Sequence, residues 1–152
     1  MPDLMSHLLI GLILAELLGV RKKSLVALGA ISPDVLSHLD IIYTYSDLPR
    51  IFNFNSFHTP FMSLLISLLI SAFFIYPKYK TVLLFNLGSM SEYLSDLLVK
   101  HFTASGTRLF FPFSLHNYSL SLVWSNDSIY ILIVCLIIYG AIKFIKKKYR
   151  VA

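Results

Sequence analysis

The sequence predicts an all-α integral membrane protein, a helical bundle with about five transmembrane or membrane-embedded helices. Its 152 residues are 57% hydrophobic and only 14% charged, whereas soluble domains contain about 25% charged residues. The mean hydropathy is +0.73. Because a water-soluble protein needs a charged surface that this composition lacks, soluble classes are disfavoured. The length suits one core, so residues 1–152 are predicted to form a single membrane-embedded domain.

Five apolar segments support this prediction, and each has about the 20 residues that cross a ~30 Å hydrocarbon core. They are residues 4–20, 24–42, 60–76, 81–99 and 128–145. The third and fifth are predicted to span the membrane, the fifth as a C-terminal anchor helix over 128–146. The other three carry polar residues, so they are predicted to be interior helices that cross fully or in part. The site-bearing part is predicted to cover about 4–114.

Two prolines indicate helix starts. Ser32-Pro33-Asp34 predicts a break in the second segment, with Ser32 as the cap and Pro33 at the first position of a new helix. Thr59 and Pro60 predict the same kind of start for the third segment.

The net charge of +5 does not predict a nucleic-acid partner, because the basic residues lie in three tight groups and not along a face. These groups, at 21–23, 78–80 and 143–150, are typical of juxtamembrane anchors in contact with lipid headgroups. With five crossings, an outer N-terminus places ten basic residues inside and three outside. The predicted location is therefore the cell (inner) membrane, with the C-terminus in the cytoplasm.

Six ionisable side chains lie in or beside the apolar segments: His7, Asp34, His38, His58, Glu92 and Asp96. A charged side chain in hydrocarbon costs several kcal/mol, so such residues usually pair, bind an ion or line a wet cavity. The predicted topology brings most of them to the outer half of the bilayer, which makes a functional site the leading hypothesis.

Their spacing favours a metal. Asp34 and His38 are four residues apart, as are Glu92 and Asp96, and this spacing places each pair on one helix face. Imidazoles and carboxylates from several helices suit a divalent metal: zinc by preference, with manganese or iron as alternatives. Such a metal makes water nucleophilic near neutral pH, and a spare carboxylate acts as general base.

Simpler roles compete for each residue. A lone histidine can serve as a hydrogen-bond donor between helices, and Asp34 can be a helix cap. Glu92 and Asp96 are harder to explain in this way, because two carboxylates one turn apart repel unless a cation lies between them.

The order of these motifs resembles the YdjM-like family of membrane-bound metal-dependent hydrolases, itself similar to the helical zinc-dependent phospholipases C and related nucleases. The resemblance covers about residues 7 to 114. It rests on His7, Ser32-Pro33-Asp34, His58-Thr59, the stretch 91–96 (Ser-Glu-Tyr-Leu-Ser-Asp), and Thr103 followed by 106–114 (Gly-Thr-Arg-Leu-Phe-Phe-Pro-Phe-Ser).

The resemblance implies that His7, Asp34, His58 and Asp96 hold the metal. Glu92 would be a further ligand or the general base. Two departures stand out. The family usually has histidine at the position of Glu92, and an arginine before its Thr-His-Ser motif, where this chain has Asn-Ser-Phe-His-Thr-Pro.

Two more residues are candidates, Arg108 because of the missing family arginine and His38 because of its spacing. Arg108 is a candidate substitute anion contact. His38, one turn from Asp34, is a secondary catalytic candidate.

Two classes of function follow from the sequence. The first is a metal-dependent hydrolase acting on an ester or phosphoester, such as a lipid, at the outer half of the membrane. The alternative is a non-enzymatic small membrane protein, either a cation- or proton-handling protein or an accessory subunit, that uses the same polar cluster. A purely structural pairing of polar groups between helices is a third interpretation.

Overall fold

The computed structural model describes residues 4–46, 53–100, 107–124 and 127–150, and it confirms a nearly all-helical chain. Two 3-10 turns, His38–Ile41 and Phe54–Phe57, lie between the second and the fourth α-helix. A two-residue parallel pair joins β1 (Val99–Lys100) to β2 (Val123–Trp124). The α-helices are α1 (Leu4–Leu17), α2 (Lys23–Ser37), α3 (Ile42–Tyr45), α4 (Pro60–Ser71), α5 (Lys78–Leu98) and α6 (Ser128–Arg150).

Helix α2 lies at the centre of the bundle, where it packs against both α1 and α5. Helix α4 covers another side of α5, and α6 packs mainly on α1. The apolar core between these helices is small, with Ala15, Leu25, Val26 and Leu84 at its centre.

Helices α2 and α5 approach each other closely at two glycines. A Cβ atom on Gly88 would lie 2.0 Å from the carbonyl oxygen of Val26, and one on Gly29 would lie 2.0 Å from that of Phe85. Neither glycine can therefore carry a side chain unless the two backbones move apart. This contact fixes the distance between the helices that carry the polar residues.

The predicted helix break at Pro33 is wrong, because α2 runs without interruption from Lys23 to Ser37. Proline lacks an N–H, so it leaves the carbonyl four residues earlier, that of Gly29, without its helical donor. Two serines replace that donor: Ser32 Oγ donates to the Gly29 oxygen at 3.2 Å, and Ser89 Oγ of α5 donates at 3.0 Å. Ser32 thus satisfies a carbonyl inside the helix instead of capping a new one.

The hydrogen bond from Ser89 to the Gly29 carbonyl gives a prediction about stability. Removing the Ser89 hydroxyl by Ser89→Ala leaves the buried Gly29 carbonyl with Ser32 alone, so we expect a loss of about 1 kcal/mol in the free energy of unfolding. Thermal or denaturant unfolding in detergent measures it. Ser95→Ala is the matched control, since Ser95 donates only to Ser91 within its own helix. Equal effects of the two substitutions would contradict the role given to Ser89.

The predicted start of α4 is confirmed. Thr59 Oγ1 accepts a hydrogen bond from the Met62 backbone N–H at 3.4 Å, and Pro60 occupies the first helical turn. Serines at every fourth position of α4 (Ser63, Ser67 and Ser71) are buried, which places a stripe of small side chains against α5.

Among the described residues, two helical stretches are long and apolar enough to cross a membrane: Lys23–Ile41 and Ser128–Tyr149. About half of the first is buried inside the protein, whereas the second is almost entirely exposed. Helices α1 and α4, of 14 and 12 residues, extend roughly 21 and 18 Å at 1.5 Å per residue, which is short of a ~30 Å core. The prediction of about five spans therefore stays a prediction.

Helix α6 is held to the bundle at one end by Glu16. The Glu16 side chain is only 1% exposed and is paired with Lys23, with Lys143 at 2.6 Å and with Lys146 at 3.0 Å. Because Lys23 belongs to α2 and the other two lysines to α6, these ion pairs connect both helices to α1. The rest of α6 exposes large apolar side chains such as Ile137 and Phe144, which suits a lipid environment.

Candidate metal centre

Five ionisable side chains from four separate parts of the chain meet at one end of the bundle. His7 comes from the first turns of α1, Asp34 from the end of α2, and Glu92 and Asp96 from successive turns of α5. His58 precedes the cap of α4. The helical spacing of four residues turns both α5 carboxylates towards the other three side chains.

The atoms lie at distances typical of a shared ligand shell. His58 Nε2 is 2.7 Å from Glu92 Oε1, 3.0 Å from Asp96 Oδ2 and 3.6 Å from Asp34 Oδ1. His7 Nε2 is 3.3 Å from Asp96 Oδ1 and 3.7 Å from Asp34 Oδ2. One ligand atom from each of Asp34, His58, Glu92 and Asp96 lies within 4.8 Å of the others. This buried group can hold a metal ion.

Four of the five side chains are buried, and several polar atoms of the group lack hydrogen-bond partners. His7 and Glu92 are fully buried, Asp34 and Asp96 are nearly so, and the His58 side chain is 16% exposed. The unpartnered atoms include both ring nitrogens of His7 and both carboxylate oxygens of Glu92. Buried polar atoms rarely remain unpaired, so atoms that converge without hydrogen-bond angles fit a cation between them. The donor set of nitrogen and oxygen also suits a zinc-like metal.

The charges of these side chains also favour a bound metal. Burial alone would lower the pKa of His58, but the carboxylates of Asp96 and Glu92 outweigh it and raise that pKa well above its ordinary value. Three carboxylates around two imidazoles leave an excess of negative charge, which a divalent metal would neutralise.

Neighbouring side chains hold the His58 ring in place. The Tyr93 ring lies edge-on to it, with centroids 5.5 Å apart, and the Tyr93 hydroxyl is hydrogen-bonded to Ser63 of α4. Sequence reasoning did not find Tyr93 or Ser63. The available signals were the four-residue spacing of the α4 serines and the place of Tyr93 beside Glu92.

The structure does not bring the His38 imidazole into the group. Helix α2 gives way to a 3-10 turn at His38, and the exposed ring turns back so that Nδ1 lies 2.7 Å from the backbone oxygen of Asp34. Arg108 contacts Asn117, with Nε donating to Oδ1 at 3.2 Å. Thr103 and Gly106 of the sequence motif lie outside the described residues.

Comparison with known proteins yields one match. No curated protein and no solved structure matches the chain. A family model described as the YdjM inner membrane protein matches residues 1–152, the whole chain. The protein therefore belongs to the YdjM family of inner membrane proteins.

Proposed function

We propose that this protein is a membrane-bound, metal-dependent hydrolase that acts on an ester or phosphoester. The observation that carries the proposal is the convergence of five metal-ligand side chains, four of them buried, with several polar atoms that have no hydrogen-bond partner. His7, Asp34, His58 and Asp96 would hold the metal, and Glu92 would serve as a further ligand or general base. A divalent metal at this position supplies a Lewis acid that makes water nucleophilic near neutral pH.

Hydrolysis adds water across the ester bond. The water oxygen bonds to the acyl or phosphoryl centre, the bond to the leaving oxygen breaks, and a proton passes to that oxygen. Glu92 suits the proton transfer, because Oε1 faces His58 while Oε2 is buried without a partner. Substrate would approach on the side of His58, the most exposed member of the group.

The proposed orientation places this centre in the outer half of the membrane. His7 and Glu16 lie at opposite ends of α1, about 14 Å apart for nine residues at 1.5 Å per residue. Glu16 and its three lysines mark the other end of the bundle. Because basic residues favour the cytoplasmic side, we place that end and the C-terminus inside and the N-terminus outside. A lipid substrate would then reach the centre from the outer leaflet.

A second candidate is a cation-binding protein without turnover. The observation in its favour is burial, since only His58 of the five side chains is appreciably exposed. A site so enclosed can hold an ion without admitting a bulky ester.

Turnover assays separate the two candidates. Protein purified in detergent without a histidine tag is stripped with chelator, reloaded with zinc or manganese, and offered phosphodiester, phospholipid and carboxyl-ester substrates. Metal-dependent hydrolysis of one class is expected. A metal-loaded protein that turns over none of them would exclude the hydrolase in favour of the second candidate.

A variant of Glu92 tests its proposed role in the proton transfer. Glu92→Gln keeps the size of the side chain but cannot accept a proton, so kcat should fall about 10²- to 10⁴-fold. His116→Ala is the control, since His116 lies exposed in the loop after α5. Unchanged kcat in Glu92→Gln at saturating metal would remove Glu92 from the proton transfer.

A further inference from the structure

Three lysines converge on one buried carboxylate at the end of the bundle away from the candidate metal centre. The carboxylate belongs to Glu16, near the end of α1, whose side chain is only 1% exposed. Lys23 of α2 and Lys143 of α6 both contact its Oε1. Lys146 of α6 lies 3.0 Å from Oε2 and also donates to the backbone oxygen of Glu16. We call these four residues the lysine cluster.

The lysine cluster carries more positive charge than Glu16 can neutralise. Three ammonium groups and one carboxylate leave a surplus of two positive charges. The nitrogens of Lys23 and Lys143 share a single carboxylate oxygen, so these two like charges lie close together and repel each other. Glu16 therefore gathers the ammonium groups without balancing their charge, and an added anion would reduce the repulsion.

The ammonium groups of the cluster are accessible to such an anion. The side chains of Lys143 and Lys146 are 49% and 48% exposed, and that of Lys23 is 33% exposed. An ammonium group has three donors. Glu16 accepts two from Lys146 and one from each of the other two lysines. Each lysine thus has at least one donor that Glu16 does not use, and phosphate oxygens accept hydrogen bonds from such groups.

The surface next to the lysine cluster is apolar. Helix α6 exposes Phe144 and Ile145, and the chain after Glu16 exposes Leu17 and Leu18. Helix α6 is long and apolar enough to cross a membrane, and its basic residues begin at Lys143. The cluster therefore lies where an apolar surface meets a basic one, which is the level at which lipid phosphates lie. A free phosphate ion would not use the apolar side chains, whereas a lipid would.

We propose that the lysine cluster binds the phosphate of an anionic phospholipid, with the acyl chains against the apolar side chains of α1 and α6. Glu16 is a positioning residue that holds lysines of two helices at one place on a third. A zwitterionic headgroup carries its own cation, which the surplus positive charge repels, so the site selects a headgroup with net negative charge. In the orientation proposed above, this lipid belongs to the inner leaflet, and its binding does not depend on the metal centre.

Native mass spectrometry of the detergent-purified protein tests the proposal with phosphatidylglycerol and with phosphatidylcholine of the same chains. Phosphatidylglycerol should bind more tightly. Lys143→Gln combined with Lys146→Gln should weaken its binding about 5-fold for each lysine and about 30-fold together. Lys78→Gln with Lys80→Gln is the matched control, because it removes the same charge from α5, outside the lysine cluster. Equal binding of the two lipids, or equal losses in the two double variants, would overturn the proposal.

Amine footprinting of the wild type covers the case in which the α6 variant does not fold. With an acetylating reagent, phosphatidylglycerol should slow the modification of Lys143 and Lys146 several-fold. Modification of Lys78 and Lys80, which are also exposed, should not change. Inorganic phosphate at the same concentration should protect none of them. Absence of protection, equal protection of all four lysines, or equal protection by inorganic phosphate would contradict a lipid site at the cluster.

Discussion

Replacing Gly88 with alanine is expected to separate α2 from α5 and abolish metal binding. The added Cβ would lie 2.0 Å from the carbonyl oxygen of Val26 and 2.7 Å from the backbone nitrogen of Ala30. Backbone atoms cannot rotate away as side chains do, so the helices must shift. Overpacking of a tight core costs about 1–3 kcal/mol, and more where nothing yields, so we expect a loss at the upper end of this range. Asp34 and Asp96 lie on the two separated helices, and their shared ligand shell would open.

The matched control is Gly140→Ala in α6. A Cβ at Gly140 meets nothing within 4 Å, and alanine favours a helix over glycine by about 1 kcal/mol. This variant should therefore unfold at the same temperature as the wild type or slightly higher, with unchanged metal content. Thermal unfolding in detergent and elemental analysis measure both quantities. Wild-type stability and metal content in Gly88→Ala would contradict the close packing of α2 and α5.

Replacing Asp96 with asparagine is expected to weaken metal binding on the order of 100-fold or more, since changes to residues that only support ligands already cost 10–100-fold. Asp96 contacts both histidines, at 3.3 Å from His7 and 3.0 Å from His58. The amide that replaces it keeps one oxygen but loses the negative charge and one ligand atom. The rise in unfolding temperature on adding metal should disappear at concentrations that saturate the wild type.

Asp127→Asn is the control for this charge change. Asp127 lies just before α6 and outside the group that can hold a metal, so its variant should keep the metal-dependent rise. Metal titrations followed by thermal unfolding compare the two variants directly. Equal affinity in Asp96→Asn and the wild type would place the metal elsewhere.

Local patterns in the sequence predicted most of the helices. Thr59 and Pro60 were enough to predict the start of α4, because a cap and a first-turn proline act within a few residues. Pro33 gave the wrong result by the same local rule. The hydroxyl that compensates for the missing N–H comes partly from Ser89, sixty residues away, and a local rule does not include such a partner.

The candidate site shows the same division between local and distant information. The spacing of Glu92 and Asp96 was enough to place them on one face, and the structure brings them together with His7, Asp34 and His58. The same spacing suggested His38, but a 3-10 turn with three residues per turn begins there and carries the ring to the surface. The division of the aspartate oxygens between two histidines depends on tertiary packing, and no sequence pattern indicates it.

The central claim is that these five side chains bind metal, and X-ray absorption at the metal edge tests it most directly. Protein without a histidine tag, purified in detergent and loaded with zinc, should show nitrogen and oxygen ligands at about 2.0–2.2 Å with outer-shell scattering from imidazole. The imidazole contribution should fall in His58→Ala and persist in His116→Ala. A metal-free protein, or a zinc shell without imidazole scattering, would contradict the claim.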